Sequence, residues 1–371
     1  MIVVDPRLHE AERVAALLGA ELPDDLDEAA GRCTVLVVDE WTPENAPHVA
    51  VARAAGAAVT CLAELVLQRA AVPVVGITGT AGKTTACYRL AALLEAARRP
   101  YAMARTARAA NAWPDADLYE LAPQLRPPAV LIAELTSTHL VWMATSPEIA
   151  VVTCLWPDHA ELHGSVAAYV AAKRRIVAFQ GPDDVALLGP GVPFTGPGRN
   201  VRFEGDPADA VAAELGVPVL PVPDPGLPHR FRDVGGPPGV RVVDDSMAAT
   251  PRKGARGAAR LAAELGGPER VVLLLGGDDP GVHRAAEEQQ ALHEACAAVR
   301  GTRVVAFGAA APRIVAELPD ARVVADLDAA VAAGEALARR GDGILLAPMF
   351  PLTMADRERF SSRWASAEAS G

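Results

Sequence analysis

Lysine is almost missing from this chain. Of 35 basic residues three are lysines, Lys83, Lys173 and Lys253, and the others are arginines. The five cysteines (Cys33, Cys61, Cys87, Cys154, Cys296) are scattered, with no CxxC pair and no metal-ligand spacing. Buried free thiols in a cytoplasmic protein are the simplest account of them. No apolar run reaches the roughly 20 residues that cross a bilayer, because Arg, Glu and Pro interrupt the Ala/Val-rich stretches. The opening MIVVDPRLHE goes straight into a strand-like segment and lacks the basic-then-apolar layout of a secretory leader. A net charge of −11 speaks against a nucleic-acid or anionic-membrane partner, while leaving room for a local basic pocket. Against this background the three lysines gain weight. Lysine is a compact point charge suited to a tight loop, and it can lose its proton and become a nucleophile, neither of which Arg does.

What is present suggests a multidomain α/β enzyme. The 371 residues, 51% hydrophobic with mean hydropathy +0.18, suffice for two or three well-filled domains. Strand-like runs at 2–4, 34–38 and 58–61 alternate with helical ones at 8–18 and 46–55, giving a small α/β domain over 1–70. A second series occupies 71–220: strand 72–77, helix 83–97, strands 129–134 and 149–154, and helix 165–179. The proline-rich stretch 218–228 (PVLPVPDPGLP) reads as a linker. A third series fills 228–371, with strands at 240–244, 271–275, 304–307 and 343–346 and helices at 253–265, 284–299, 310–318 and 327–340. Repeated βα units of this length favour parallel doubly wound sheets, with ligands at the C-terminal strand ends.

The segment VPVVGITGTAGKTT runs from strand through Gly79-Thr80-Ala81-Gly82-Lys83-Thr84-Thr85 into helix. Glycines there let backbone N–H groups turn toward a phosphate, and the helix N-terminus adds its positive dipole end. Lys83 would reach the β/γ-phosphates and the hydroxyl of Thr84 or Thr85 would meet Mg²⁺. The usual GxxxxGK[ST] spacing asks for glycine at 77, where Ile77 stands.

Three further motifs follow. Glu134 closes an apolar strand and leads into Leu135-Thr136-Ser137-Thr138-His139, a placement suited to holding Mg²⁺. Asp158-His159-Ala160-Glu161-Leu162-His163-Gly164-Ser165 precedes Tyr169 and Lys173 on a helix. Beyond the linker lie Pro228-His229-Arg230-Phe231 and Asp244-Asp245-Ser246-Met247-Ala248-Ala249-Thr250-Pro251, then Leu275-Gly276-Gly277-Asp278. From about residue 70 onward the set resembles the Mur ligase family: a GTxGKT loop, an acidic strand end, a DHxxxHGS turn, a YxxAK helix, a PHRF segment and a DDS turn. Among its branches the glutamate-adding one looks closest in domain order and in the PHRF segment.

That resemblance implies a three-domain α/β architecture, with a P-loop central domain and a Rossmann-like C-terminal domain. It also implies an ATP-dependent, ADP-forming ligase that couples a carboxylate to an amine through an acyl phosphate. Lys83, Arg230 and two Mg²⁺ ions would spread the phosphoryl charge, and Asp245 would bind ATP. Thr84, Glu134, His159 and a CO₂-derived carbamate on Lys173 would hold metal. By weaker matches Asn200 would reach the adenine, and Asn111, Thr136, Ser137, His139 and Thr250 would line the substrate cleft. His139 stands where the family usually has Gln. The partners implied are small molecules, bound by a monomer.

The departures concern substrates. Places where glutamate-adding relatives use lysine for the amino acid's carboxylate match Met247 and Pro280, and the late loop 347–353 is apolar, so Thr353 or Arg357 would compensate. The first turn, Val4-Asp5-Pro6-Arg7, lacks the glycines expected around a UDP pyrophosphate, and the segment after Phe179 is short for the family's sheet. These features point to a trimmed relative that acts on a pair other than the cell-wall one. A genuine D-glutamate ligase, a folate-polyglutamate or cyanophycin type, a ligase-like subunit serving an amidotransferase and a regulatory P-loop NTPase remain as alternatives.

Overall fold

The computed structural model describes residues 1–104 and 111–364. Their contacts divide them into two units, Met1–Trp156 with Ala167–Pro225, and Pro157–Val166 with the chain from Gly226 onward. Each owes its form to buried parallel strands.

The first unit holds two sheets. Strands β1 (Ile2–Val4), β2 (Val35–Val38) and β3 (Ala58–Cys61) pair in parallel in that order. The other strands of the unit are β4 (Val74–Thr78), β5 (Tyr101–Met103), β6 (Val130–Glu134), β7 (Ile149–Val152), β8 (Val185–Leu188) and β9 (Arg199–Arg202). They form one parallel sheet in the order β5-β6-β4-β7-β8-β9. Strands buried on both faces need continuous apolar runs, and VVGIT, VLIAE and IAVV supply them. One apolar core runs from Val3 and Leu36 through Val66 to Leu131 and Tyr169, so the small sheet and the large one pack as a single body. Glu64 reinforces this by accepting from Thr145 Oγ1 (2.7 Å) and Thr145 N (3.2 Å).

Register decides where chemistry can occur. β4 lies between β6 and β7, with Ile77 opposite Glu134 and Thr78 opposite Val152. The chain leaves β4 at the point where strand order reverses, and a crevice at the C-terminal strand ends follows from that topology. Although the segment after Phe179 is short, it contributes β8, β9 and the helix Pro207–Glu214.

The second unit carries β10 (Arg232–Asp233), β11 (Arg241–Asp244), β12 (Val271–Gly276), β13 (Arg303–Phe307), β14 (Arg322–Val324) and β15 (Gly343–Met349). Their order is β10-β11-β15-β12-β13-β14, parallel except for the antiparallel edge strand β10. Helices cover both faces, burying Leu261, Leu292 and Ile314 on one side and Val331 and Phe360 on the other. No helix among the described residues is long and apolar enough to cross a membrane.

Gly76 shows how tightly β4 is packed. A Cβ there would lie 2.5 Å from Pro147 Cγ and 3.1 Å from Leu135 Cδ1. Gly76→Ala is expected to cost about 1–3 kcal/mol in denaturant unfolding; an unchanged midpoint would refute this packing account.

Candidate active site

The loop after β4 is crowded by its neighbours. A Cβ on Gly79, whose φ is +143°, would fall 2.0 Å from Thr153 Oγ1, so only glycine lets the loop pass β7. Thr153 Oγ1 donates to the Ala81 carbonyl at 2.5 Å, and Thr80 N donates to the Cys154 carbonyl at 3.0 Å. Gly82, in the left-handed region at φ 81°, begins the helix Lys83–Ala96 without a side-chain cap. Its N-terminal N–H groups and positive dipole end face the loop, a setting that favours an anion. Lys83 Nζ rests on the Gly79 carbonyl at 3.1 Å, curled over the loop.

Of the two threonines, Thr84 is buried and Thr85 exposed. Thr84 Oγ1 donates to Glu134 Oε2 at 2.8 Å and lies 3.4 Å from Asn111 Oδ1. Glu134 is 2% exposed, and its other hydrogen bond comes from Ala112 N at 3.2 Å. A buried carboxylate whose partners are all neutral calls for a cation. Two hard oxygen donors at this spacing fit Mg²⁺, so Thr84 and Glu134 are the residues that would hold it.

Lys173 is 2% exposed; its Nζ donates to Thr78 Oγ1 at 3.1 Å and stands 5.2 Å from the Tyr169 ring centre. The Tyr169 hydroxyl is 2.9 Å from Thr80 Oγ1, which ties that helix to the loop. His139 belongs to the same unit. Burial, and then the charge of Lys173, push its imidazole down to about 3, so the ring is neutral. Its Nδ1 takes hydrogen bonds from Thr136 N (3.2 Å) and Thr136 Oγ1 (2.9 Å), closing a capping box on the short helix Ser137–Leu140. Ser137 is buried beside it. Asn200 turns its amide onto its own turn, accepting from Gly196 N and donating to the Gly196 and Gly198 carbonyls.

A cleft borders His139, lined also by Leu8, Val38, Glu40, Cys61 and Trp113. Sequence reading missed it, because its walls come from segments far apart in the chain.

The second unit contains the remaining expected residues. His159 is the left-handed residue (φ 54°) opening the helix Ala160–His163, with Nδ1 3.2 Å from Glu161 and Nε2 3.6 Å from Asp158. Arg230 lies between His229 and Phe231, both at positive φ (61° and 49°). A buried polar knot holds this turn: His229 Nδ1 is 2.8 Å from Asp244 Oδ2, and the Ser361 hydroxyl also donates to Asp244. Burial pushes the Asp244 carboxyl up, but hydrogen bonds from His229, Ser361 and Ser246 bring it below its usual range. Asp245 accepts from Phe231 N at 3.0 Å. Burial, aided by the Asp244 charge, raises Asp245 to about 7 against the Phe231 hydrogen bond and the charges of Arg230 and Lys253. Thr353 spends its hydroxyl capping the helix Met354–Ser362 through Asp356. Thr250 Oγ1 is buried with no hydrogen-bond partner among the described residues.

The Mur ligase middle domain matches residues 77–190, and the glutamate ligase domain of Mur ligases matches residues 229–350. The chain is 33% identical over 310 residues to UDP-N-acetylmuramoylalanine–D-glutamate ligase of Thermus thermophilus, covering 76% of this chain and 70% of that one. It is 30% identical over 412 residues to UDP-N-acetylmuramoyl-L-alanine–L-glutamate ligase of Xanthomonas axonopodis pv. citri, covering 92% and 84%. MurF ligase from Thermotoga maritima, solved in complex with ADP, shares the fold at TM-score 0.58 and 16% identity over 90% of each chain. The chain belongs to the Mur ligase family. It is accordingly an ATP-dependent ligase with that family's α/β architecture.

Two predictions follow from the titrating groups. His139 has a folded-state pKa far below its unfolded one, so the stability it contributes is present above about pH 6.5 and is lost as pH falls toward 3. Wild type should lose about 2 kcal/mol more than His139→Gln between pH 6.5 and 5, measured by urea unfolding; parallel profiles would refute the assignment. Asp245 has the opposite sign: its raised pKa favours folding at low pH and penalises it as pH rises through 7. Asp245→Asn should gain roughly 4 kcal/mol at pH 8 and almost nothing below pH 4, and a gain equal at both pH values would contradict it.

Proposed function

We propose that this ligase joins an amino acid to a carboxylate other than UDP-muramoyl-alanine, through an acyl phosphate. The carboxylate attacks the γ-phosphorus of ATP and ADP leaves; the amine then attacks the acyl carbon and phosphate leaves. Lys83 and Arg230 stabilise phosphoryl charge, and Thr84 and Glu134 would hold Mg²⁺, which would supply Lewis-acid charge neutralisation. Lys173, buried beside Thr78, is the amine that takes up CO₂ and releases a proton, giving a carbamate oxygen as a further anionic ligand together with His159. Asp245 binds the nucleotide. Residues 1–70 form the carboxylate-substrate part, 71–220 the phosphate-binding part and 228–371 the amine-handling part.

Arg357 is the observation that carries the substrate reading. The lysines expected to hold the amino acid's carboxylate are replaced by Met247 and Pro280. Arg357 is 9% exposed, and among the described residues its guanidinium meets the sulfurs of Met247 and Met354 and no carboxylate. Its Nε, like the hydroxyl of Thr250, is buried with no hydrogen-bond partner among the described residues. Burial pushes the Arg357 guanidinium below its usual range and the charge of Asp244 only partly offsets this, so a substrate carboxylate would satisfy it in the bidentate geometry Arg favours. The other substrate also differs. At the end of β1 the fully buried Asp5 accepts from Arg7 Nε (2.9 Å) and Thr42 (3.3 Å), so a carboxylate occupies the turn where a pyrophosphate would need donors. Burial tends to raise Asp5, but the Arg7 hydrogen bonds and charge hold it below the usual carboxylate range.

A second reading, a glutamate ligase of cell-wall synthesis, is favoured by the names of the relatives at 33% and 30% identity. An ADP-release screen of carboxylates against amino acids, with mass spectrometry of the product, separates the two. We expect ADP only when both an acid and an amino acid are present. Arg357→Met should raise KM for the amino acid at least tenfold while kcat changes little, and Lys173→Ala should abolish turnover in bicarbonate buffer. Full turnover of UDP-muramoyl-alanine with glutamate would overturn the substrate reading, and an active Lys173→Ala the carbamate.

A further inference from the structure

The second unit contains a buried group of ligating side chains that ligation leaves unused. Asp158, His283 and Glu288 are 2%, 4% and 2% exposed, and one ligand atom from each lies within 4.8 Å of the others. Atoms bound to one cation at about 2.0–2.4 Å stand no more than about 4.8 Å apart, so all three can share an ion. Hydrogen bonding leaves their lone pairs available. His283 Nε2 is 3.0 Å from the Met349 carbonyl, which can only accept; the proton is therefore on Nε2 and Nδ1 carries the lone pair. Glu288 accepts two backbone N–H groups, from Ala160 (2.9 Å) and Ala285 (3.3 Å), and neither neutralises its charge. Asp158 Oδ1 accepts from His159 N at 3.1 Å, whereas Oδ2 is fully buried with no hydrogen-bond partner among the described residues. The nearby nitrogen is His159 Nε2 at 3.6 Å, beyond hydrogen-bond length. Two carboxylates and an imidazole lone pair are thus buried together, with the half-exposed His159 ring the basic group nearest to Asp158, and burying such charges is costly unless a cation joins them.

We propose that Asp158, His283 and Glu288 bind one divalent transition-metal ion, distinct from the Mg²⁺ held by Thr84 and Glu134. An imidazole with two carboxylates suits Mn²⁺ or Zn²⁺ better than Mg²⁺ or Ca²⁺, which prefer all-oxygen shells. The ion pins residues 157–166, and with them His159, to the helix Ala286–Ala298, so its role is to position His159.

The test uses the full chain, stripped with chelator and free of nucleotide, titrated with Mn²⁺ by calorimetry and examined by pulsed electron paramagnetic resonance. One Mn²⁺ per chain with a single imidazole-nitrogen coupling is expected, along with a Mn²⁺-dependent rise in melting temperature. His283→Gln and Glu288→Gln should each weaken binding at least tenfold and lose that rise, while their metal-free melting curves match wild type. Glu134→Gln and Lys173→Ala should bind as wild type does. Absence of binding without nucleotide would overturn the proposal. So would a nitrogen coupling that survives in His283→Gln but vanishes in His159→Ala. The readouts need no turnover, so they stand whatever substrates the ligase proves to use.

Discussion

The first unit is organised around one buried charge. Glu134 ends β6 with 2% exposure, and a carboxylate there is tolerable only if donors and eventually a cation surround it. The register that puts Ile77 opposite Glu134 brings the phosphate loop within one hydrogen bond of it. Gly79 exists because the loop must pass Thr153 to get there. Thr84 is buried rather than exposed because its hydroxyl answers Glu134. Sheet order, glycine placement and helix start are consequences of holding an anion beside a site for another anion.

The second unit meets a similar demand differently. Its positive-φ residues His229 and Phe231 bend the chain so that the backbone of Phe231 serves Asp245 while His229 serves Asp244. Adjacent carboxylates repel, and the hydrogen bonds are divided unequally between them. Asp244 receives side-chain donors and stays ionised; Asp245 receives one backbone donor and titrates near neutrality. A single sequence step therefore separates a structural anion from one whose charge responds to its surroundings.

Long apolar strands and the helices after them were legible in the sequence, since β7 is a continuous apolar run and β4, β6 and β12 are runs ended by glycine or charge. β5, β10 and β14 were not: with three, two and three residues they carry too little pattern. β9 (RNVR) is mostly exposed and reads as loop. The turn that carries Lys83 and Thr84 was legible because glycine spacing constrains it. The approach of Arg357 to Met247, and the convergence of Asp158 with His283 and Glu288, depend on segments more than 100 residues apart and leave no local trace. Thr353 and Asn200 resembled ligand contacts in sequence, yet their polar atoms are engaged in a helix cap and a turn.

The burial of Lys173 has a consequence for chemical selectivity. A guanidinium keeps its proton at any physiological pH and is inert toward dissolved CO₂. By carrying nearly all its positive charge on arginine, the chain offers an electrophile three amine side chains in total, one of them enclosed between Thr78 and Tyr169. Composition alone thus leaves an electrophile few amine side chains to meet, and burial sets Lys173 apart from bulk solvent.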